Sequence, residues 1–323
     1  MSHALVLEDV TKSYADHVAV RDLSVAVPTG SVYGILGPNG AGKSTTLRMI
    51  MNILLRDSGE IRLLGRDPER DRHVLERVGY MPEERGLYKK MKVMDVIVFF
   101  ARLKGVEAAE ARRRGTEWIE TMGLEDWAGA KVETLSKGMQ QKVQFITTVL
   151  HEPEVLILDE PQSGLDPVNQ EVLRDTILGT SRAGRTVILS THNMAEAQRM
   201  CDAVCIIAEG SKVLDGNVRE IRRQHRGDRY AVEFDADTDG VRRFMAESPH
   251  IGNAQRVDGH WEVELAGAAD TRTLLAELTG LDVAASRVEH LEPTLHEIFV
   301  RHVGDATRAR RTGAGAREEA ARA

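Results

Sequence analysis

The chain has 323 residues, 42% of them hydrophobic, enough for a sizeable core and for about two domains. A formal net charge of -7 disfavours a general nucleic-acid binder. No apolar run approaches the ~18 residues a membrane-crossing helix needs, and the start Met-Ser-His-Ala-Leu lacks the basic-then-apolar order of a signal peptide.

Residues 4 to 27 carry two β-like runs, Ala4–Leu7 and Leu23–Val27, around a polar turn that holds Tyr14. That tyrosine is either an ordinary surface residue or an aromatic plate for a nucleobase. The apolar run Ser31–Leu36 reads as a buried strand, and Thr45–Leu55 as a helix. Between them lies G-P-N-G-A-G-K-S-T: Gly37, Pro38, Asn39, Gly40, Ala41, Gly42, Lys43, Ser44 and Thr45. This is a phosphate-binding loop pattern. Its glycines let backbone N–H groups close on a triphosphate, Lys43 offers a charge to the β- and γ-phosphates, and Ser44 offers a hydroxyl to Mg2+. The following helix would point its N-terminus at the phosphates.

Ser58–Gly65 reads as a turn and strand, and Val78–Tyr88 as a strand running into a Pro- and Gly-punctuated loop. From Lys89 to about Gly129 the pattern is helical, with Val93, Val96, Ile97 and Phe100 on one face and a charged helix over Glu107–Met122. Leu135-Ser-Lys-Gly-Met139 precedes a helix over Gln140–Leu150, so Ser136 and Gly138 mark either a plain helix cap or a second anion-binding N-terminus. Val155–Leu158 is a strand buried on both faces that ends in Asp159 and Glu160. Beside a phosphate-binding loop, Asp159 is placed to hold Mg2+, usually through water, and Glu160 to polarise an attacking water.

Ser163-Gly-Leu-Asp166 leads into a helix over Val168–Ser181, and Arg185–His192 is a further buried strand. His192, at its end, is either structural or aimed at a γ-phosphate. Ala203–Ala208 and Lys212–Gly216 read as closing strands, with Cys201 and Cys205 as reduced thiols in a cytosolic protein. Alternating strands and helices from Ser31 to Gly216 imply an α/β fold with a mainly parallel sheet.

Arg219–Arg229 reads as a linker, and its arginines lack the interleaved aromatics of a nucleic-acid patch. Tyr230–Phe234 (strand), Gly240–Glu247 (helix), a hairpin of Asn253–Val257 and His260–Leu265 across Asp258-Gly259, Thr271–Leu278 (helix) and Val283–Val288 (strand) give the order βαββαβ. That order predicts a small ferredoxin-like domain. Leu291–Val300 reads as a short helix with a Pro start. Asp305–Ala323, rich in Arg, Ala and Gly, reads as disordered.

Over roughly residues 4 to 220 this string of motifs resembles the ATP-binding cassette (ABC) family of transporter ATPases. The resemblance rests on Tyr14, the Walker A loop at 37–45, a Q-loop-like V-G-Y-M-P-E, the signature L-S-K-G-M, the Walker B string V-L-I-L-D-E-P, the D-loop S-G-L-D and the switch histidine in S-T-H. Signature, D-loop and switch in that order are what make it specific. It implies a P-loop cassette over 1–222 with a helical subdomain at about 84–135, a linker at 223–229, an accessory α+β domain at 230–302 and a tail at 303–323. It also implies ATP with Mg2+ as cofactors, and two cassettes packed head to tail. Each ATP would then lie between Lys43 and Ser44 of one chain and Ser136 and Gly138 of a second copy or a homologous subunit. Tyr14 would stack on the base, Glu83 with Ser44 and Asp159 would attend the metal, Glu160 would orient water, His192 would contact the γ-phosphate, and Asp166 would communicate across the dimer.

This sequence departs from the family pattern at Glu83, which stands where a glutamine is usual, and at Lys137 and Met139 in the signature. Glu83 adds a negative charge and loses an amide donor. P-E-E-R-G-L-Y and the closing E-P-T-L-H-E-I-F resemble a bacterial exporter branch of the sodium-efflux type, in which a separate membrane permease carries the pore. The resemblance therefore implies a cytoplasmic ATPase at the inner face of the membrane, with no nucleic acid as partner. The alternative is an ABC ATPase acting on ribosomes or nucleic acid. A single Walker A loop and the short interval from Tyr88 to Leu135 argue against it, as Glu160 and His192 argue against a non-catalytic nucleotide switch.

Overall fold

A computed structural model describes residues 2–302, so the tail expected to be disordered lies outside the described residues. The chain divides into two compact units at Val218/Arg219, each described by itself.

In the first unit, β1 (His3–Tyr14) and β2 (His17–Pro28) form a long hairpin, and β4 (Ser58–Leu63) joins β1 to give a three-stranded antiparallel sheet in the order β2-β1-β4. The second sheet has six strands in the order β5-β6-β7-β3-β8-β9, formed by β3 (Val32–Leu36), β5 (Val78–Met81), β6 (Val155–Asp159), β7 (Thr186–Thr191), β8 (Ala203–Ala208) and β9 (Ser211–Asn217). All its pairings are parallel except β8 with β9. Side chains alternate across a strand with period two. Tyr33 and Ile35, Val155 and Ile157, Cys205 and Ile207 therefore share one face, where they pack with α1 (Lys43–Ile50) and the inner residues of the antiparallel sheet.

The helix after the phosphate-binding loop is shorter than the sequence pattern suggested. It stops at Ile50 because Asn52 takes a left-handed conformation (φ 51°), which lets the amides of Ile53 and Leu54 reach back to the Arg48 carbonyl. The helical stretch at 89–129 resolves into α2 (Val93–Leu103) and α3 (Ala108–Thr121). Then come α4 (Lys137–Val149), α5 (Pro167–Arg182) and α6 (Met194–Met200), the last of which the sequence did not suggest.

The stretch read as a linker is partly helical. α7 (Val218–Gln224) forms because Val218 and Ile221, three residues apart, are both buried.

The second unit pairs β11 (Ile251–Val257), β12 (His260–Leu265), β10 (Arg229–Phe234) and β13 (Ala285–His290) in that spatial order, all antiparallel. With α8 (Asp239–Glu247) and α9 (Thr271–Leu278) between strands, this is the ferredoxin-like arrangement. Asp258 and Gly259 both have positive φ, the requirement of a two-residue hairpin turn. The last strand lies two residues later than the sequence pattern placed it. The final helix begins at 295 rather than at Pro293, with Thr294 and Glu297 capping each other. Its sheet and helices close over Tyr230, Val232, Val241, Val263 and Leu274.

Candidate active site

The parallel strands β3, β5, β6 and β7 all end at the same edge of the six-stranded sheet, and the loops leaving them carry most of the residues singled out above. The loop after β3 turns sharply at Gly37. A Cβ there would lie 2.2 Å from the Ile207 carbonyl oxygen, and one at Gly42 would lie 2.4 Å from that of Ala19. Gly42, with φ 105°, is the N-cap of α1 and offers no side-chain cap, which leaves the first-turn amides available to an anion. Lys43 is buried and folds back over its own loop, donating from Nζ to the carbonyls of Gly37 (2.8 Å) and Pro38 (3.2 Å).

At the end of β6, Asp159 is 1% exposed. Its Oδ1 accepts from Ser44 Oγ at 3.1 Å and, at very short range, from Ser190 Oγ of β7. Its Oδ2 is buried with no hydrogen-bond partner. A buried anionic oxygen left without a donor is costly, and a cation resolves it. Glu160 follows in the left-handed region (φ 47°), held there by Ser190, whose carbonyl and hydroxyl both accept from its amide. A non-glycine residue is strained in that conformation, and here its carboxylate faces Lys43 and His192. Glu160 Oε1 lies 3.6 Å from Lys43 Nζ and 3.0 Å from His192 Nδ1.

Glu160 and His192 line a cleft of about 560 Å³ with residues 39–45, Tyr14 at the end of β1, Glu83 in the loop after β5, and Ser163, and Asp159 lies buried behind it. Lys12 Nζ stands 5.7 Å from the centre of the half-exposed Tyr14 ring. Ser136 and Gly138 do not line this cleft. They sit at the N-terminus of α4, where Ser136 Oγ accepts from the Met139 amide at 3.2 Å. Asp166 N-caps α5, and hydrogen bonds from Asn169 hold its carboxyl below the usual carboxylate range. A larger open groove, about 730 Å³, lies by α3 and α5, but its acids Glu117, Glu152 and Asp175 are already paired with Arg113, Arg114 and Arg174.

Ser190 was not singled out from the sequence, which marks its strand as buried but not the contact of its hydroxyl with Asp159. His17 and Ala19 line the cleft and were missed, since nothing in the hairpin sequence distinguishes them.

A glycine-rich loop, an acid pair and a histidine at the C-terminal edge of a parallel sheet define a P-loop nucleotide hydrolase. A family model for ABC transporters matches residues 20–163, and one for the C-terminal domain of DrrA1-3-like ATP-binding proteins matches 216–303. An uncharacterized ABC transporter ATP-binding protein of Bacillus subtilis is 39% identical over 300 residues, covering 93% of this chain and 98% of its own. The Nod factor export ATP-binding protein I of Burkholderia orbicola is 33% identical over 297 residues, covering 92% and 95%. Among solved structures, cbiO1 of Clostridium perfringens, part of an ABC transporter complex, matches with a TM-score of 0.62 and 28% identity over 69% of this chain and 92% of its own. The chain belongs to the ABC transporter family, as an ATP-binding, ATP-hydrolysing subunit.

Proposed function

We propose that this chain is the ATPase of an exporter whose pore is a separate integral-membrane subunit, and that it works at the cytoplasmic face of the membrane as one of a pair of cassettes. The observation that carries the reading is the cleft itself. It brings Tyr14, the 39–45 loop, Glu83, Glu160 and His192 together, while Ser136 and Gly138 stand elsewhere, available to a nucleotide held by another cassette. In this reading Tyr14 stacks on the base, Lys43 turns from the Gly37 and Pro38 carbonyls to the phosphates, Glu160 orients the attacking water, and His192 contacts the γ-phosphate. Asp159 through its unpartnered Oδ2, Ser44 and Glu83 are the groups that fit Mg2+, and a bound Mg2+ would neutralise charge on the phosphate oxygens.

Three observations support the reading, two for the membrane partner and one for the direction. Among the described residues no helix is long and apolar enough to cross a membrane. Near the Glu83 loop, Tyr88, Phe99 and Phe100 form an aromatic cluster with centroids 5.3 to 6.0 Å apart, and Leu103 beyond it is 67% exposed. Such a patch is the mark of a binding surface. Export is the activity named for the Burkholderia relative.

Affinity purification of the tagged chain from detergent-solubilised membranes, with mass spectrometry, tests this. Stoichiometric recovery of a polytopic membrane protein is the expected result, weakened by Leu103→Glu. Recovery of ribosomes or nucleic acid in its place would overturn the reading.

A further inference from the structure

α4 joins two parts of the chemistry that lie apart in the sequence. Its N-cap is Ser136, and its body carries Gln141 and Gln144, both almost fully buried. Three residues apart on a helix, the two amides share a face. Gln144 Nε2 donates to the carbonyls of Pro82 (2.8 Å) and Glu84 (3.3 Å), the residues on either side of Glu83. Gln141 Nε2 donates to the carbonyl of Pro161 (3.0 Å), the residue after Glu160. Each amide spends its donors on backbone and leaves its Oε1 buried without a partner.

A buried orphan acceptor is costly, so nothing in packing alone favours glutamine over a methionine of similar volume at either place. What glutamine adds is a donor of fixed reach. For Gln144 it is a donor with two hydrogens, which can tie two carbonyls at once and so fix the one residue between them.

We propose that Gln144 and Gln141 are positioning residues of the ATPase. Gln144 sets the Glu83 loop and Gln141 the turn after Glu160, and both tie these to the helix that begins at the signature serine, so that movement of α4 is transmitted to both carboxylates. The signature serine and the loop clamp are eight residues, about 12 Å, apart along one rigid element. This inference rests on the roles given above to Glu83, Glu160 and Ser136.

The test uses the full chain and two kinds of readout. In nucleotide-free Gln144→Met, tryptic cleavage after Arg85 speeds about tenfold or more, while amide hydrogen exchange over the strands and the melting temperature stay near wild type. With ATP saturating, kcat falls about tenfold or more, the usual effect of losing a residue that orients a ligand, with KM within twofold. The Mg2+ concentration for half-maximal turnover rises. Gln144→Asn, one methylene too short to reach, behaves the same way and stands in if the methionine variant folds poorly. Gln141→Met speeds exchange over 160–163 and lowers kcat but leaves the Mg2+ dependence alone. Added to Glu83→Ala, Gln144→Met lowers kcat by no more than twofold, because both act through one group.

Unchanged cleavage after Arg85 overturns the clamp whatever the rate does. A full additive loss on top of Glu83→Ala overturns the route through Glu83. Unchanged turnover in Glu83→Ala and Glu160→Gln alone is a different failure: it removes the roles assigned to those carboxylates, and the coupling to chemistry with them.

Discussion

Lys43, Asp159 and Glu160 are buried in the first unit, with one carboxylate oxygen unpartnered and the glutamate backbone in the left-handed region. In the second unit the fully buried side chains among the described residues are hydrophobic. Its one buried unpartnered carboxylate oxygen among them, Asp237 Oδ1, belongs to a carboxylate already paired with Arg242 and Arg256, and other charges pair at the surface, as Arg287 does with Glu289. The first arrangement stores unsatisfied polarity and strain that an anion and a cation can relieve. The second keeps its buried carboxylate paired with arginines. The contrast sets a cleft built around buried, incompletely paired charge against a unit whose charges are matched within it, and mutations distinguish the two.

The largest effect belongs to Gly37→Ala. With its Cβ 2.2 Å from a backbone oxygen and φ at 153°, the substitution is expected to destabilise by ~3 kcal/mol or more and to abolish ATP binding, read by thermal unfolding and calorimetric titration. In the second unit, Leu274→Ala empties a fully buried position and is expected to cost ~2–5 kcal/mol, yet to leave ATP turnover within twofold. A large loss of turnover there would break the contrast.

Lys43→Ala sharpens it from the other side. Loss of a charge-assisted contact predicts about 10- to 100-fold weaker ATP binding with the fold intact, measured by titration alongside circular dichroism.

His151 carries a smaller, pH-dependent effect. Burial, with a lesser push from Lys104, lowers its pKa to about 4. The folded state therefore favours the neutral ring. Its contribution is complete above pH ~6.5 and is lost as the pH falls through that value toward 4. Discounted for partial solvent screening, that is about 1 kcal/mol between pH 7 and pH 5. Thermal melts at the two pH values should show it in wild type and not in His151→Gln. The smallest effect is Arg287→Ala, which removes an exposed pair and is expected to leave the thermal midpoint at its wild-type value.

Much of this was legible in the residues. The buried strands announce themselves as apolar runs, the phosphate-binding loop as glycines at fixed spacing, and the Asp258-Gly259 hairpin as a turn needing two positive φ values. Other features depend on tertiary contacts that no local pattern records. α7 hid under arginines, because only two of its side chains bury. Asn52 ends α1 through its backbone conformation, which the apolar spacing beyond it masks. Ser190 and Gln144 look like ordinary polar residues until the sheet order brings β7 against β6 and the helix against the Glu83 loop.

The proposed function depends above all on Glu160 orienting the attacking water in the cleft at the sheet edge. Single-turnover hydrolysis of pre-bound ATP by wild type and Glu160→Gln tests it most directly. The account predicts that the variant binds ATP as tightly as wild type and hydrolyses it at least ~100-fold more slowly. Hydrolysis within twofold of wild type, with binding intact, would contradict it.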